Sequence, residues 1–218
     1  MPSLTEENYL KALLALSVGT GEVSVNDLSR HLEIKMPTVT SMMKKLAEKK
    51  LVHYASYKPI RLTEKGKREA GAIIRKHRLT EMFLVQVMGF GWEEVHEIAE
   101  QVEHIQAPAL FEKMDEMLGF PKMDPHGSPI PDKSGKIEWH SYTRLSDCQP
   151  GETLRLKAVL DSSSDFLKYL NSRELKLGLK LQVKSVESFD QTMLVSYGNH
   201  RSETLSAKVS EMLLGERV

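Results

Sequence analysis

Cys148 is the only cysteine among 218 residues, which excludes an intrachain disulfide framework and any thiolate metal cluster. No apolar run approaches the ~20 residues of a membrane-crossing helix. The opening residues, Met-Pro-Ser-Leu-Thr-Glu-Glu, lack the basic and apolar regions of a secretion signal. A soluble, cytoplasmic protein in reducing surroundings is therefore expected, with no membrane partner. There is no internal repeat and no low-complexity tract. Trp92 and Trp139 read as packing residues, and Cys148 as structural. At this length two domains are likelier than one.

Net charge is also missing, since 30 Lys and Arg balance 30 Asp and Glu. The distribution, however, is uneven. Lys35, Lys44, Lys45, Lys49, Lys50, Lys58, Arg61, Lys65, Lys67 and Arg68 meet only Glu48 and Glu64 across their span. Further on, Glu93, Glu94, Glu97, Glu100, Glu103, Glu112, Asp115 and Glu116 face only Lys113. A basic segment followed by an acidic one suits a polyanion-binding part beside a cation-binding part.

Thr5 is the expected N-cap of a first helix that runs to about residue 18 and stops at Gly19-Thr20-Gly21. Ser24 caps a second helix over 25–32. After a tight turn at 33–36, Pro37 opens a third helix that reaches about residue 50. Val39, Met42, Met43 and Leu46 face inward there, leaving Thr38, Thr40, Ser41, Lys44 and Lys45 outside. Residues 51–54 and 60–62 read as a β-hairpin whose tip carries Tyr57 and Lys58. This order describes a winged helix-turn-helix, whose third helix enters the major groove of double-stranded DNA while lysines and wing hold phosphates. The expected DNA contacts are Lys35, Pro37, Thr38, Thr40, Ser41, Lys44, Lys45, Tyr57 and Lys58. With no Asn, Gln or Arg on that face, shape readout carries much of the specificity.

Helical patterns continue over 64–88, 93–105 and 108–118. Phe83, Val87, Phe111, Met114 and Leu118 supply either a helix–helix dimer surface or an internal core. Pro121, Pro125, Gly127, Pro129, Pro131 and Gly135 mark a linker. Strands are expected over 152–160, 179–186 and 193–197, with a short helix at 164–171, and form a small β-barrel.

The acidic segment carries the chemistry. In V-H-E-I-A-E-Q-V-E-H, residues 95–104, helical spacing puts His96 and Glu100 on one face, followed a turn later by Glu103 and His104. His77 and Glu81 repeat the i, i+4 pairing upstream. One such stripe is usually a solvated face. Two on successive helices point to divalent metal, and oxygen with imidazole donors suits Mn²⁺ first and Fe²⁺ second. His31, His53, His126, His140 and His200 have no partner at ligand spacing and read as surface or loop residues.

Taken in order, several stretches resemble the diphtheria-toxin-repressor family of metal-dependent transcription regulators, along essentially the whole chain. They are T-E-E-N-Y-L-K near the start, P-T-V-T at the recognition helix, L-T-E-K-G after the wing and H-R-L-T-E at 77–81. The metal stripe and P-H-G-S-P-I-P at 125–131 complete the set. The resemblance implies a mainly α protein with a small β domain. Residues 1–72 would be a winged helix-turn-helix DNA-binding domain and 73–120 a helical metal-binding and dimerisation domain. Residues 121–142 would be a linker and 143–218 an SH3-like domain. One metal site would use Asn8, Glu100, Glu103 and His104; the other would use His77, Glu81, His96 and Asp165. Asn8 stands where relatives commonly carry Met or Asp, and Glu100 replaces the Cys of iron-type members. Lys11 stands where some manganese-type members carry an acid.

The expected function is a homodimeric repressor that binds operator DNA when loaded with Mn²⁺ and controls metal-uptake genes, with an Fe²⁺-dependent repressor as the alternative. No small-molecule substrate is expected. A winged-helix regulator of a non-metal ligand is a rival. A metallohydrolase is disfavoured because Glu100 stands where H-E-x-x-H needs its second histidine.

Overall fold

Ser3 and Glu6 start the first helix as a reciprocal capping box, Ser3 Oγ accepting from the Glu6 N–H while the Glu6 carboxylate accepts from the Ser3 N–H. The cap is therefore Ser3 and not Thr5, which lies inside α1 (Leu4–Leu16). The glutamate three residues on decides between the two hydroxyls. The structure, a computed structural model, describes residues 2–218.

Ser24 caps α2 (Val25–Leu32), whose end turns through Glu33 at a positive φ of 55°. Next comes α3 (Met36–Glu48), with Pro37 in its first turn. The wing follows: β1 (Val52–His53) pairs antiparallel with β2 (Arg61–Leu62), and a bridge from Val23 to Ile60 ties it to the α2 approach. Tyr9, Leu10, Leu13, Leu28, Val39, Met43, Leu46 and Ile60 fill the core between these elements. Three helices complete the helical portion: α4 (Glu64–Gln86), α5 (His96–Val102) and α6 (Pro108–Met117).

The described residues divide into two compact units. The first holds the chain up to Thr80 with Ala99–Lys122 and Ile130–Glu138; the second holds Glu81–Ile98, Met123–Pro129 and Trp139–Val218. Position 72/73 lies inside the unbroken α4, and the Pro/Gly-rich stretch is divided, 123–129 and 139–142 going with the second unit and 121–122 and 130–138 with the first. In the first unit Arg75 joins α4 to α6 and to that stretch, pairing with Asp115 at 2.5 Å and donating to the Pro131 carbonyl at 2.6 Å.

The second unit is built on an antiparallel six-stranded sheet in the order β3-β8-β4-β5-β6-β7. Its strands are β3 (Thr143–Arg144), β4 (Thr153–Val159), β5 (Lys180–Val186), β6 (Met193–Tyr197), β7 (His200–Leu205) and β8 (Leu213–Arg217), with helices α7 (Ser164–Ser172) and α8 (Ala207–Met212). Alternation in β4 and β6 buries one face around Leu154, Leu156, Val183, Val195 and Leu213. Cys148 lies in this core, 1% exposed, where burial pushes its thiol up from the usual value. The sequence pattern missed β3, β7 and β8, because β3 is only two residues long, β7 is polar and largely exposed, and β8 contains Gly215.

Close approach is required at Gly66 near the start of α4. A Cβ there would lie 2.0 Å from the Leu51 carbonyl oxygen, which is backbone and cannot swing aside. Gly66→Ala should therefore cost about 1–3 kcal/mol, the usual cost of overpacking. Denaturant unfolding monitored by circular dichroism would show the lowered midpoint.

Candidate metal centre and nucleic-acid face

Helical spacing on α1 brings Glu7, Asn8 and Lys11 to one side, and within the first unit that side meets the turn that ends α5. Lys76 of α4 shapes this turn by donating to the Glu103 carbonyl at 3.1 Å. His104 Nδ1 donates to Glu7 at 2.6 Å, and His77 Nδ1 donates to Glu103 at 2.6 Å. Lys11 Nζ donates to Glu100 at 2.5 Å and to Glu103 at 2.8 Å. His104 Nε2 lies 3.5 Å from the Glu103 oxygen that faces Lys11.

The Glu103 side chain is fully buried. Burial pushes its carboxyl up, but the His77 hydrogen bond and the charge of Lys11 outweigh this and hold it below the usual carboxylate value. Asn8 Oδ1 is buried with no hydrogen-bond partner among the described residues. Such an orphaned acceptor is costly unless something electropositive reaches it. Carboxylates, imidazoles and an unsatisfied amide oxygen are donor types that suit a divalent cation.

A second cluster belongs to the second unit. Glu81, Asp124 and His126 are all buried, and each offers a ligand atom within 4.8 Å of the others. His96, the first residue of α5, is 3.2 Å from Glu81. The Asp124 carboxylate accepts from the N–H groups of His126 and Ser128, which folds this stretch into a tight turn. His126 Nε2 donates to the Trp92 carbonyl at 2.8 Å, so Nδ1 faces Glu81 at 3.6 Å. A backbone acceptor that fixes one ring nitrogen and aims the other is how ligating histidines are oriented. Burial lowers the pKa of His126, but the hydrogen bond to Glu81 and its charge outweigh this and raise it.

The sequence-derived set is thus distributed as follows. Glu100, Glu103 and His104 come together, with Asn8 on the same helix as Glu7. Glu81 and His96 come together in the second unit. In the first, His77 is hydrogen-bonded to Glu103 and lies 3.9 Å from Glu100. Asp165 is exposed on the first turn of α7 and belongs to no such group of three among the described residues. Glu7, Asp124 and His126 were missed by sequence reasoning. Glu7 reads as an ordinary first-turn acid, and His126 has no helical-spacing partner because Glu81 is 45 positions earlier. The Asp-Pro-His-Gly run was the available signal, since it sets two ligand types on one turn.

The expected DNA contacts lie on α3 and the wing. Lys35, Pro37, Thr38, Ser41, Lys44, Lys45, Tyr57 and Lys58 are exposed, and Thr40 is half-buried. Tyr57, at the wing tip, has a positive φ of 64°. The start of α3 has no side-chain cap and no acidic residue, so its N–H groups stay open to phosphate. Two exposed lysines also tie α3 to α1: buried Glu6 pairs with Lys49 at 2.7 Å and Lys45 at 3.2 Å. Burial pushes the Glu6 carboxyl up, yet these lysines and the Ser3 N–H bring it to about 2.

Comparison with known proteins decides the family. Residues 2–60 match the iron dependent repressor N-terminal DNA binding domain, 63–132 its metal binding and dimerisation domain, and 143–217 the FeoA domain. The diphtheria toxin repressor of Corynebacterium glutamicum is 30% identical over 162 residues, covering 71% of this chain and 70% of that protein. The chain belongs to the diphtheria-toxin-repressor family of metal-dependent transcriptional repressors. Members of this family are DNA-binding proteins and not enzymes. The iron-dependent repressor IdeR of Mycobacterium bovis is 34% identical over 127 residues; the match covers 58% of this chain and spans 55% of that relative's length. A solved manganese-dependent transcriptional repressor in complex with manganese superimposes with a TM-score of 0.89 at 30% identity, over 97% of this chain and 99% of that one.

The Asp124 turn makes a structural prediction independent of metal. Asp124→Ala should destabilise the protein by about 1–3 kcal/mol, because two N–H groups lose their acceptor. Asp124→Asn, which keeps one acceptor oxygen, should lose less. Chemical unfolding of the three proteins compares them directly.

Proposed function

We propose that this protein is a Mn²⁺-responsive repressor that binds operator DNA as a homodimer in the cytoplasm and controls metal-uptake genes, with Fe²⁺ as the second candidate ion. The observation that carries this reading is the set of contacts around fully buried Glu103, in which Lys11 bridges Glu100 and Glu103 and His104 meets Glu7, with Asn8 Oδ1 on the same side of α1 unsatisfied. In this reading Glu7, Asn8, Glu100, Glu103 and His104 hold one ion, and Glu81, His96, Asp124 and His126 hold another. Neither set contains sulfur, which disfavours soft ions, and the five-residue set offers more donors than tetrahedral Zn²⁺ prefers. His77 supports the first set through Glu103, and Asp165 is left without a role.

A bound ion supplies positive charge that neutralises the carboxylates and ties α1 to the turn after α5. The protein's own residues carry the effect onward. Glu6 precedes Glu7 on the same rigid helix and grips Lys45 and Lys49 of α3. Fixing the metal face of α1 therefore fixes the pose of the DNA-reading helix. Reciprocal coupling follows, so operator DNA tightens metal binding by the same factor. A two-fold dimer presents two such helices to a palindromic site. Leu110 and Met117 on α6, with Phe120 beyond it, form an exposed apolar strip suited to self-association, while Phe111 turns into the core.

Titrating Mn²⁺ and Fe²⁺ anaerobically into operator-binding assays tests the reading. Glu103→Gln and His104→Ala should each abolish metal-stimulated binding while the far-ultraviolet circular dichroism stays native. Unchanged binding in both would favour a regulator of a non-metal ligand. Glu6→Gln should separate the two functions, leaving Mn²⁺ affinity near the parent value but weakening operator binding about tenfold, a coupling of ordinary size.

A further inference from the structure

We propose that the Lys11 ammonium is a resident cation of the first cluster, which a divalent ion must expel in order to bind, so that Lys11 sets the metal concentration at which the protein responds. The inference rests on reading that cluster as a metal site.

Lys11 Nζ is held between two carboxylates, 2.5 Å from Glu100 Oε1 and 2.8 Å from Glu103 Oε1. Glu100 and Glu103 are three residues apart on one turn, so their oxygens form a two-toothed grip. An ordinary surface ion pair joins one charge to one. Here a single ammonium bridges the two carboxylates, one of them fully buried, that are also the strongest candidates to take a cation. An ion bonded to the same oxygens would stand within a few ångströms of Nζ, and like charges so close repel strongly where water is excluded. Both cannot remain. The Lys11 side chain is 22% exposed, and its flexible four-carbon stem gives the ammonium a route to solvent. Loading is therefore an exchange, one divalent cation in and one ammonium out.

Two effects follow. Metal affinity is lower than the donor set alone would give, which moves the response to higher ion concentrations. In the metal-free protein, Lys11 also ties α1 to the end of α5, the same elements an ion would join. The lysine thus stabilises the metal-free state against carboxylate repulsion. A neutral residue there would leave that repulsion for the ion alone to relieve.

The test measures Mn²⁺ binding to the full-length protein without DNA, by equilibrium dialysis with electron paramagnetic resonance of free Mn²⁺, at fixed pH and ionic strength. Lys11→Met keeps the length of the stem and removes the charge. It should tighten one class of Mn²⁺ site by about tenfold or more, the order expected for deleting an adjacent like charge. The class belonging to Glu81, Asp124 and His126 should be unchanged. Lys11→Arg retains the charge and should stay within about twofold of the parent on the same grounds. Thermal unfolding supplies a second readout: Lys11→Met should melt lower without metal and gain more on adding Mn²⁺. Equal or weaker Mn²⁺ affinity in folded Lys11→Met overturns the exchange. Glu103→Gln identifies the class, because it should remove the same sites with or without Lys11→Met. If Glu103→Gln leaves every class intact, the metal reading of the cluster fails, whatever Lys11→Met does.

Discussion

A carboxylate taken wholly out of water must be matched by positive charge or hydrogen-bond donors, and Glu103 is such a group. Its side chain is fully buried, and three elements meet to satisfy it: His77 from α4, Lys11 from α1 and its own turn after α5. Beside this compensation, only the contacts that Glu7 makes with His104 and Gln106 are polar ties between α1 and this turn among the described residues. The buried acid turns a set of helices with modest mutual contact into a charge-sensitive joint. The second cluster follows a similar rule, with Glu81 matched by His96 and His126.

The same helix that closes this joint also carries Glu6, which faces the other way and holds two lysines of α3. Adjacent residues on a helix point about 100° apart, so Glu6 and Glu7 serve different neighbours from one rigid body. Only small displacements are needed for one neighbour to feel the other. Lys45 is a consequence: it is exposed enough to meet phosphate, yet its ammonium already leans on Glu6. An operator contact through Lys45 is therefore also a contact with α1.

Much of this was legible in the sequence where periodicity speaks. The order of α1, α2, α3 and wing follows from spacing and turn residues, and Pro37 and Ser24 sit where their chemistry demands. The 95–104 stripe announces Glu100, Glu103 and His104, although α5 ends at Val102 and the last two sit on the turn that follows. What stayed hidden depends on chain returning from far away. Glu7 is an unremarkable first-turn acid until His104 arrives beside it. His126 looks solitary because Glu81 reaches it through the fold and its turn is set by Asp124, not by a helix. The α5 helix is also shorter than its pattern, beginning at His96, because Gly91 and Glu94 make a turn of their own. Strands β7 and β8 escaped because an exposed edge and a glycine leave no alternation to read.

The sealed thiol has a chemical consequence. Cys148, the sole cysteine, lies deep in the β-sheet core, and both candidate clusters are composed of oxygen and imidazole donors alone. Peroxide therefore finds no sulfur to sulfenylate beside either pocket, and two protomers cannot be locked together by air oxidation without first unfolding. The candidate donors themselves include no thiol.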